Sequence, residues 1–212
     1  SLGNGSNPND LWKYNPTTNQ WVWVTGSSNS NQAGVYGTKG TPSPSNIPGS
    51  RSVSNSWTDN NGNLWLFGGN GKDSTSTSGG LNDLWKYNIQ TNQWTWVSGS
   101  KTIQQLGVYG VKGVANSANV PGSRQYAASW ADESGNLWLF GGQVYYNNGT
   151  TSGYQMKNDL WKYNIQNNQW TWMSGESSDN IPYGVYGTQG VANNTNILGG
   201  RTGSASWTDA SG

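Results

Sequence analysis

The chain repeats itself, and the repeat is long. Asn-Asp-Leu-Trp-Lys-Tyr-Asn stands at 9–15, 82–88 and 158–164, each copy followed by an Asn-Gln-Trp-x-Trp segment ending at Trp23, Trp96 and Trp172. Gly-Val-Tyr-Gly recurs at 34–37, 107–110 and 184–187, with Arg51, Arg124 and Arg201 after it. Ser-Trp-x-Asp comes next at 56–59, 129–132 and 206–209, and Gly-Asn-Leu-Trp-Leu-Phe-Gly-Gly closes the unit at 62–69 and 135–142. Equivalent positions lie 73 residues apart between the first two copies and then 76 or 77 apart. Self-similarity at such a period marks one structural unit used several times, each copy covering the face its neighbour leaves open.

Each full unit holds five tryptophans, so three would hold 15; the chain has 14, and the absent one belongs to a third Leu-Trp-Leu-Phe. Every tryptophan therefore has a fixed place in an apolar strand, which assigns all of them to the core rather than to a sugar-stacking platform. Around them lie 31 Gly and many Asn, Ser and Thr, with only 10% charged residues. These are turn formers, poor in helix interiors, and they imply an all-β chain of short strands. Four strands per unit are expected: about 52–58, 63–67, 11–15 or 84–88, and 20–24 or 93–97. Thr-Asp-Asn-Asn-Gly-Asn and Asn-Ile-Gln-Thr-Asn-Gln supply the tight turns between them. In the second strand Leu64 and Leu66 oppose Trp65 and Phe67, and in the fourth Trp21 and Trp23 oppose Val22 and Val24. A sheet apolar on both faces must lie between two others.

A strand ending in Leu-Phe-Gly-Gly, followed by Asn-Asp-Leu-Trp-Lys-Tyr-Asn and Gln-Trp-Thr-Trp-Val, resembles the Kelch repeat, whose mark is the double glycine (Gly68, Gly69 and Gly141, Gly142). The resemblance covers nearly the whole chain and implies a Kelch-type β-propeller of four-stranded antiparallel blades. One segment over 1–212 then holds two complete blades, 51–97 and 124–173. A third is split, with strands three and four at 9–24 and its first strand at 201–212. The long Gly-Val-Tyr-Gly segment departs from compact Kelch units and is similar to bacterial surface proteins labelled galactose-oxidase-like. That likeness implies a fold and a binding role. Two blades and a split one do not close a ring of the usual four to eight blades, so the chain is expected to continue in a longer polypeptide or to self-associate as a ring or filament.

With 11 basic and 10 acidic residues scattered singly, no charged field draws nucleic acid or an acidic membrane. No apolar run reaches the ~20 residues that cross a bilayer, and residues 1–20 lack the features of a signal peptide. Neither histidine nor cysteine occurs, which removes the usual acid–base residue, the soft metal ligands and any Cys/His nucleophile pair. The copper site of galactose oxidase, built with histidines, cannot form here. Asp59, Asn61 and Asn63 have the oxygen spacing of a calcium loop but no closing acidic residue, and read as a hairpin turn. Asn4, Asn148 and Asn193 lie in Asn-x-Ser/Thr sequons. No cofactor, no metal and no enzymatic activity of this chain alone are expected; an enzyme is the third alternative, as a fragment of a larger propeller whose catalytic residues lie in other blades. The composition suits an extracellular or cell-surface protein, with a protein or carbohydrate as partner.

Antiparallel order sends the segments 25–50, 70–81, 98–123, 143–157 and 174–200 to one end of the sheets, and long loops on a rigid scaffold are where binding usually resides. The candidate ligand contacts lie there. Tyr36, Tyr109 and Tyr186 with Arg51, Arg124 and Arg201 recur in every unit and are read first as braces of the loops. Lys72 and Asp73 in one unit, and Tyr145, Tyr146 and Tyr154 in the next, differ between units and are the specificity candidates.

Overall fold

The computed structural model describes residues 7–147, 150–178 and 183–208, which contain thirteen β-strands and no helix. Strands β1 (Leu11–Asn15) and β2 (Gln20–Thr25) form sheet I. Strands β3 (Arg51–Ser52), β4 (Asn55–Thr58), β5 (Leu64–Lys72), β6 (Ser78–Asn88) and β7 (Gln93–Ser98) form sheet II. After β8 (Ala128–Ala131) and β9 (Leu137–Phe140), β10 (Gln143–Asn147) and β11 (Ser152–Met156) make a separate hairpin; β12 (Leu160–Asn164) and β13 (Gln169–Ser174) then complete sheet III in the order β13-β12-β9-β8. All pairings are antiparallel, and the register repeats: Leu64 faces Tyr87 and Leu66 faces Trp85 in sheet II, as Leu137 faces Tyr163 and Leu139 faces Trp161 in sheet III.

Side-chain oxygens close the tight turns. Asp59 Oδ1 accepts from the backbone N–H of Asn61 and of Asn63, each at 2.9 Å, while Oδ2 takes Trp65 Nε1 at 2.8 Å. Gly62 supplies the positive φ the turn requires. At Asn88 the same device caps Gln90 and Thr91.

The two expected loops at 70–81 and 143–157 are instead largely hairpins. At the double glycine the pairing slips by one residue between Phe67 and Gly69, with φ of 62° at Gly68 and 92° at Gly69, and then resumes from Gly69–Leu81 to Lys72–Ser78. A bulge bends a strand without ending it. The expected first strand at 52–58 is likewise two pieces, β3 and β4, because Val53 takes a φ of 54°.

The sheets stack front to back. Trp57, Trp65 and Phe67 of sheet II meet Leu137, Leu139, Tyr163 and Trp170 of sheet III in one buried cluster. The Trp65 and Tyr163 rings lie 5.6 Å apart, as do those of Phe67 and Trp170. The opposite face of sheet II, carrying Trp85, Tyr87 and Trp94, packs against Leu11 and Val24 of sheet I. Leu137 and Leu139 are wholly buried whereas the equivalent Leu64 and Leu66 are half-buried, because only two strands of sheet I lie over the latter.

The connections 26–50 and 99–123 are straps laid along the outer strand of the following sheet. Gly40 N donates to Trp96 O at 2.8 Å and Gly113 N to Trp172 O at 2.8 Å. The core assignment of all tryptophans needs one correction: Trp12, Trp21 and Trp23 of sheet I are 48%, 64% and 48% exposed, and Trp207 is 82% exposed. No sheet covers them among the described residues.

The difference between covered and open faces is measurable. Phe67→Ala, at a wholly buried site, is expected to lower the unfolding free energy by about 3–5 kcal/mol in urea titration. Val22→Ala, on the half-open sheet I, should cost below about 1 kcal/mol.

Candidate functional site

Two aspartates organise the end of the sheets where the straps and hairpins gather. Asp159 immediately precedes β12, wholly buried, and accepts four side-chain donors. Arg124 Nη1 and Nη2 meet its two oxygens at 2.7 Å each, Trp161 Nε1 reaches Oδ2 at 2.7 Å, and Tyr109 OH reaches Oδ2 at 2.8 Å. Arg124 also donates to the carbonyls of Gly122 (3.1 Å) and Gly141 (2.9 Å). The same constellation stands on Asp83: Arg51 twice at 2.7 Å, Tyr36 OH and Trp85 Nε1 both at 2.7 Å, with Arg51 also on Gly49 and Gly68 carbonyls. A bidentate guanidinium–carboxylate pair with further donors placed on backbone carbonyls is the arrangement in which a buried charge is tolerated.

The electrostatics follow from this. Burial alone would raise the Asp159 carboxyl; the Arg124 charge, with hydrogen bonds from Arg124, Trp161 and Tyr109, overcomes it and holds the group below the usual carboxylate range. Burial, and then the neighbouring aspartate, push the Tyr36 and Tyr109 phenols well above their ordinary value. Tyr36, Arg51 and Arg124 thus have their polar groups engaged in the braces on Asp83 and Asp159. Tyr109 packs, half-buried, between the Trp161 and Trp172 rings. In the third unit Tyr186 is exposed and the Arg201 guanidinium donates to the Gly199 carbonyl, at 3.3 Å, while its backbone pairs with Lys157 and Gly142.

The specificity candidates separate. Lys72 lies within β5, its ammonium on the Ser76 carbonyl at 3.0 Å. Asp73 is buried in the hairpin turn; burial would raise its carboxyl, and hydrogen bonds from Thr75 and Thr77 lower it further than burial raises it. Both shape the turn, and neither lines the cleft between the two hairpins. Tyr145 and Tyr154 are directly opposed across β10 and β11, rings 5.5 Å apart and edge to face. Tyr146 alternates to the other side and lies over Gly153.

The Tyr145–Tyr154 pair forms one wall of a cleft of about 280 Å³; the far wall is Asn70 and Ser78–Gly80 of the β5–β6 hairpin. Gln104, Gln125 and Gln143 line it as well, together with Ser123, Arg124 and Val144. The sequence reading missed these three amides. They replace Asn31, Ser52 and Asn70 of the first unit, and comparing equivalent positions was the signal that picks them out. Of the sequons, Asn4 and Asn148 lie outside the described residues, while Asn193 is exposed and accepts from Thr195 N at 2.9 Å. No group of three or more metal-ligating side chains occurs among the described residues.

No protein-family model matches the chain, and no curated protein matches it. Solved structures do. One, YjhT, is 15% identical and superposes with a TM-score of 0.50 over 83% of this chain and 47% of its own. The chain spans about half the length of that structure, and the likeness is one of fold alone.

Asp159→Ala, which strands Arg124 in the interior, should destabilise the fold by about 3–5 kcal/mol in urea. A carboxyl held low in the folded state contributes fully above its unfolded value near 4 and loses that contribution as pH falls through the folded value. The wild-type urea midpoint should therefore stay level from about pH 8 to 5 and drop below about pH 4. A midpoint that rises there would contradict the brace.

Proposed function

We propose that the chain is a segment of a Kelch-type β-propeller and that it serves as a non-catalytic recognition module, binding carbohydrate in the cleft between the two hairpins. The observation that carries this reading is the composition of the cleft: an opposed tyrosine pair on one wall and Asn70, Gln104, Gln125 and Gln143 around it. A sugar presents an apolar C–H face, which stacks on an aromatic ring, and a rim of hydroxyls that both donate and accept. Carboxamides do the same from one side chain. Tyr145 and Tyr154 are 38% and 53% exposed, so both offer ring surface to solvent.

The propeller reading is supported by the Leu-Phe-Gly-Gly bulge, the four-strand order of sheet III and the front-to-back stacking of sheets II and III. The lack of histidine and cysteine in the sequence supports a binding rather than a catalytic role. The Asn-, Ser- and Thr-rich composition supports an extracellular or cell-surface setting, where glycans are at hand.

A glycan array followed by calorimetry tests the assignment. One class of neutral saccharide should bind, and Tyr154→Ala or Gln125→Ala should weaken it roughly tenfold, while Lys72→Ala leaves it unchanged. Binding that survives Tyr154→Ala, or capture of proteins but no glycan, would sink the carbohydrate reading.

A further inference from the structure

The cleft between the two hairpins holds carboxamides that the fold does not use. Elsewhere the chain's amides are employed: Asn82, Asn119 and Asn158 each hold a backbone carbonyl, and Asn88 and Asn164 cap turns. Among the described residues no protein group hydrogen-bonds the side chain of Asn70, Gln104, Gln125 or Gln143, all of which line the cleft. Gln125 is the most buried of the four, at 8% exposure. Its backbone is fixed by Gln143, whose N–H and C=O pair with it at 2.9 and 3.0 Å. The buried polar atoms with neither partner nor solvent are, among the described residues, Asn46 Oδ1, Asn55 Oδ1, Trp170 Nε1 and Asn196 Oδ1. The Gln125 carboxamide is not one of them; it keeps an opening to solvent, and the cleft supplies it.

The walls limit what can enter. The Tyr145 and Tyr154 planes are inclined at 64°, so they make a corner rather than a platform, and a ligand ring can lie flat on only one of them. The volume, about 280 Å³, falls just under the ~300–1,000 Å³ of sites for drug-sized ligands. No acidic side chain lines the cleft, and its one guanidinium, that of Arg124, is paired with Asp159. Nothing in it selects a charged ligand.

We infer that the cleft takes a single neutral pyranose unit and that Gln125 sets its orientation by reading two adjacent ring hydroxyls, one as donor and one as acceptor. This rests on the saccharide reading and adds to it the size of the unit and the group that reads it. A carboxamide presents an N–H and a lone pair side by side in one plane, and gauche hydroxyls on neighbouring carbons are its complement. Tyr154, the more exposed of the pair, meets the C–H face of the same ring. A buried polar group left unpaired rejects a ligand that lacks the matching hydroxyl far more strongly than an apolar wall rejects a missing methylene.

Calorimetry with the methyl pyranosides of glucose, galactose and mannose, their monodeoxy forms and the matching di- and trisaccharides tests it. A methyl pyranoside should bind, and added units should gain less than roughly tenfold. Loss of either of two adjacent hydroxyls should weaken binding roughly tenfold or more. Gln125→Met, which keeps the length and loses the amide, should weaken the parent sugar as much and remove the difference between it and those two deoxy forms. The urea midpoint of Gln125→Met should equal or exceed that of the wild type, because the amide has no protein partner to lose; this outcome does not depend on any sugar. Affinity that climbs with every added unit overturns the single-unit assignment. A deoxy penalty that survives Gln125→Met, or a lowered midpoint, overturns the role of Gln125 while the saccharide reading stands. Absence of binding by every saccharide takes down that reading and this inference with it.

Discussion

One carboxylate per unit holds three things together. Asp83 and Asp159 each tie a strap through its tyrosine, a double-glycine bulge through the arginine, and the first tryptophan of their own strand. Without the arginine these aspartates would be uncompensated buried charges, and without the aspartate the arginine would be. The pair is therefore a condition on the geometry rather than an addition to it. Strap, hairpin and sheet reach their native positions together or leave a charge without a partner.

That constraint divides the labour within the unit. The brace uses the residues that recur, and its far side is free to vary. Beyond the bulge, one hairpin carries Lys72 and Asp73 in a tight, internally bonded turn, and its counterpart carries two opposed tyrosines. Gly68 and Gly141, with φ of 62° and 65°, give the chain the same backbone conformation at the root of both hairpins, so the cleft between them is positioned by backbone and lined by whatever the units do not share.

Much of the scaffold was legible in the sequence because it rests on side chains. The alternation of Leu64, Trp65, Leu66 and Phe67, and the Asn and Asp caps of the turns, fixed strands and turns close to where they stand. The hairpin extensions were not legible. Asn-Gly-Lys-Asp-Ser-Thr-Ser-Thr-Ser-Gly-Gly holds no alternating apolar pattern, and pairing there is carried by the backbone, which leaves no mark on composition. The arginines and tyrosines were legible as braces, but their aspartate partner lies in a different motif some distance along the chain. The cleft amides were hidden because glutamine in a polar segment looks like solvent-facing surface. The tryptophans of sheet I were misread as core because a repeat position tells which face a residue occupies and not whether a neighbour covers it.

The straps have a second consequence. Strands β7 and β13 are the outermost of their sheets, and an open edge strand rich in tryptophan and threonine is a template for pairing with any extended chain. Gly40 and Ser43 donate to carbonyls of β7, and Gly113 and Asn116 to carbonyls of β13, so much of the hydrogen-bonding row is occupied by the chain's own backbone. Edge protection and loop attachment are the same set of contacts. Any event that lifts a strap therefore exposes a sticky border at the same moment, which makes the strap, rather than the core, the point where folding and amyloid-type misassembly part ways.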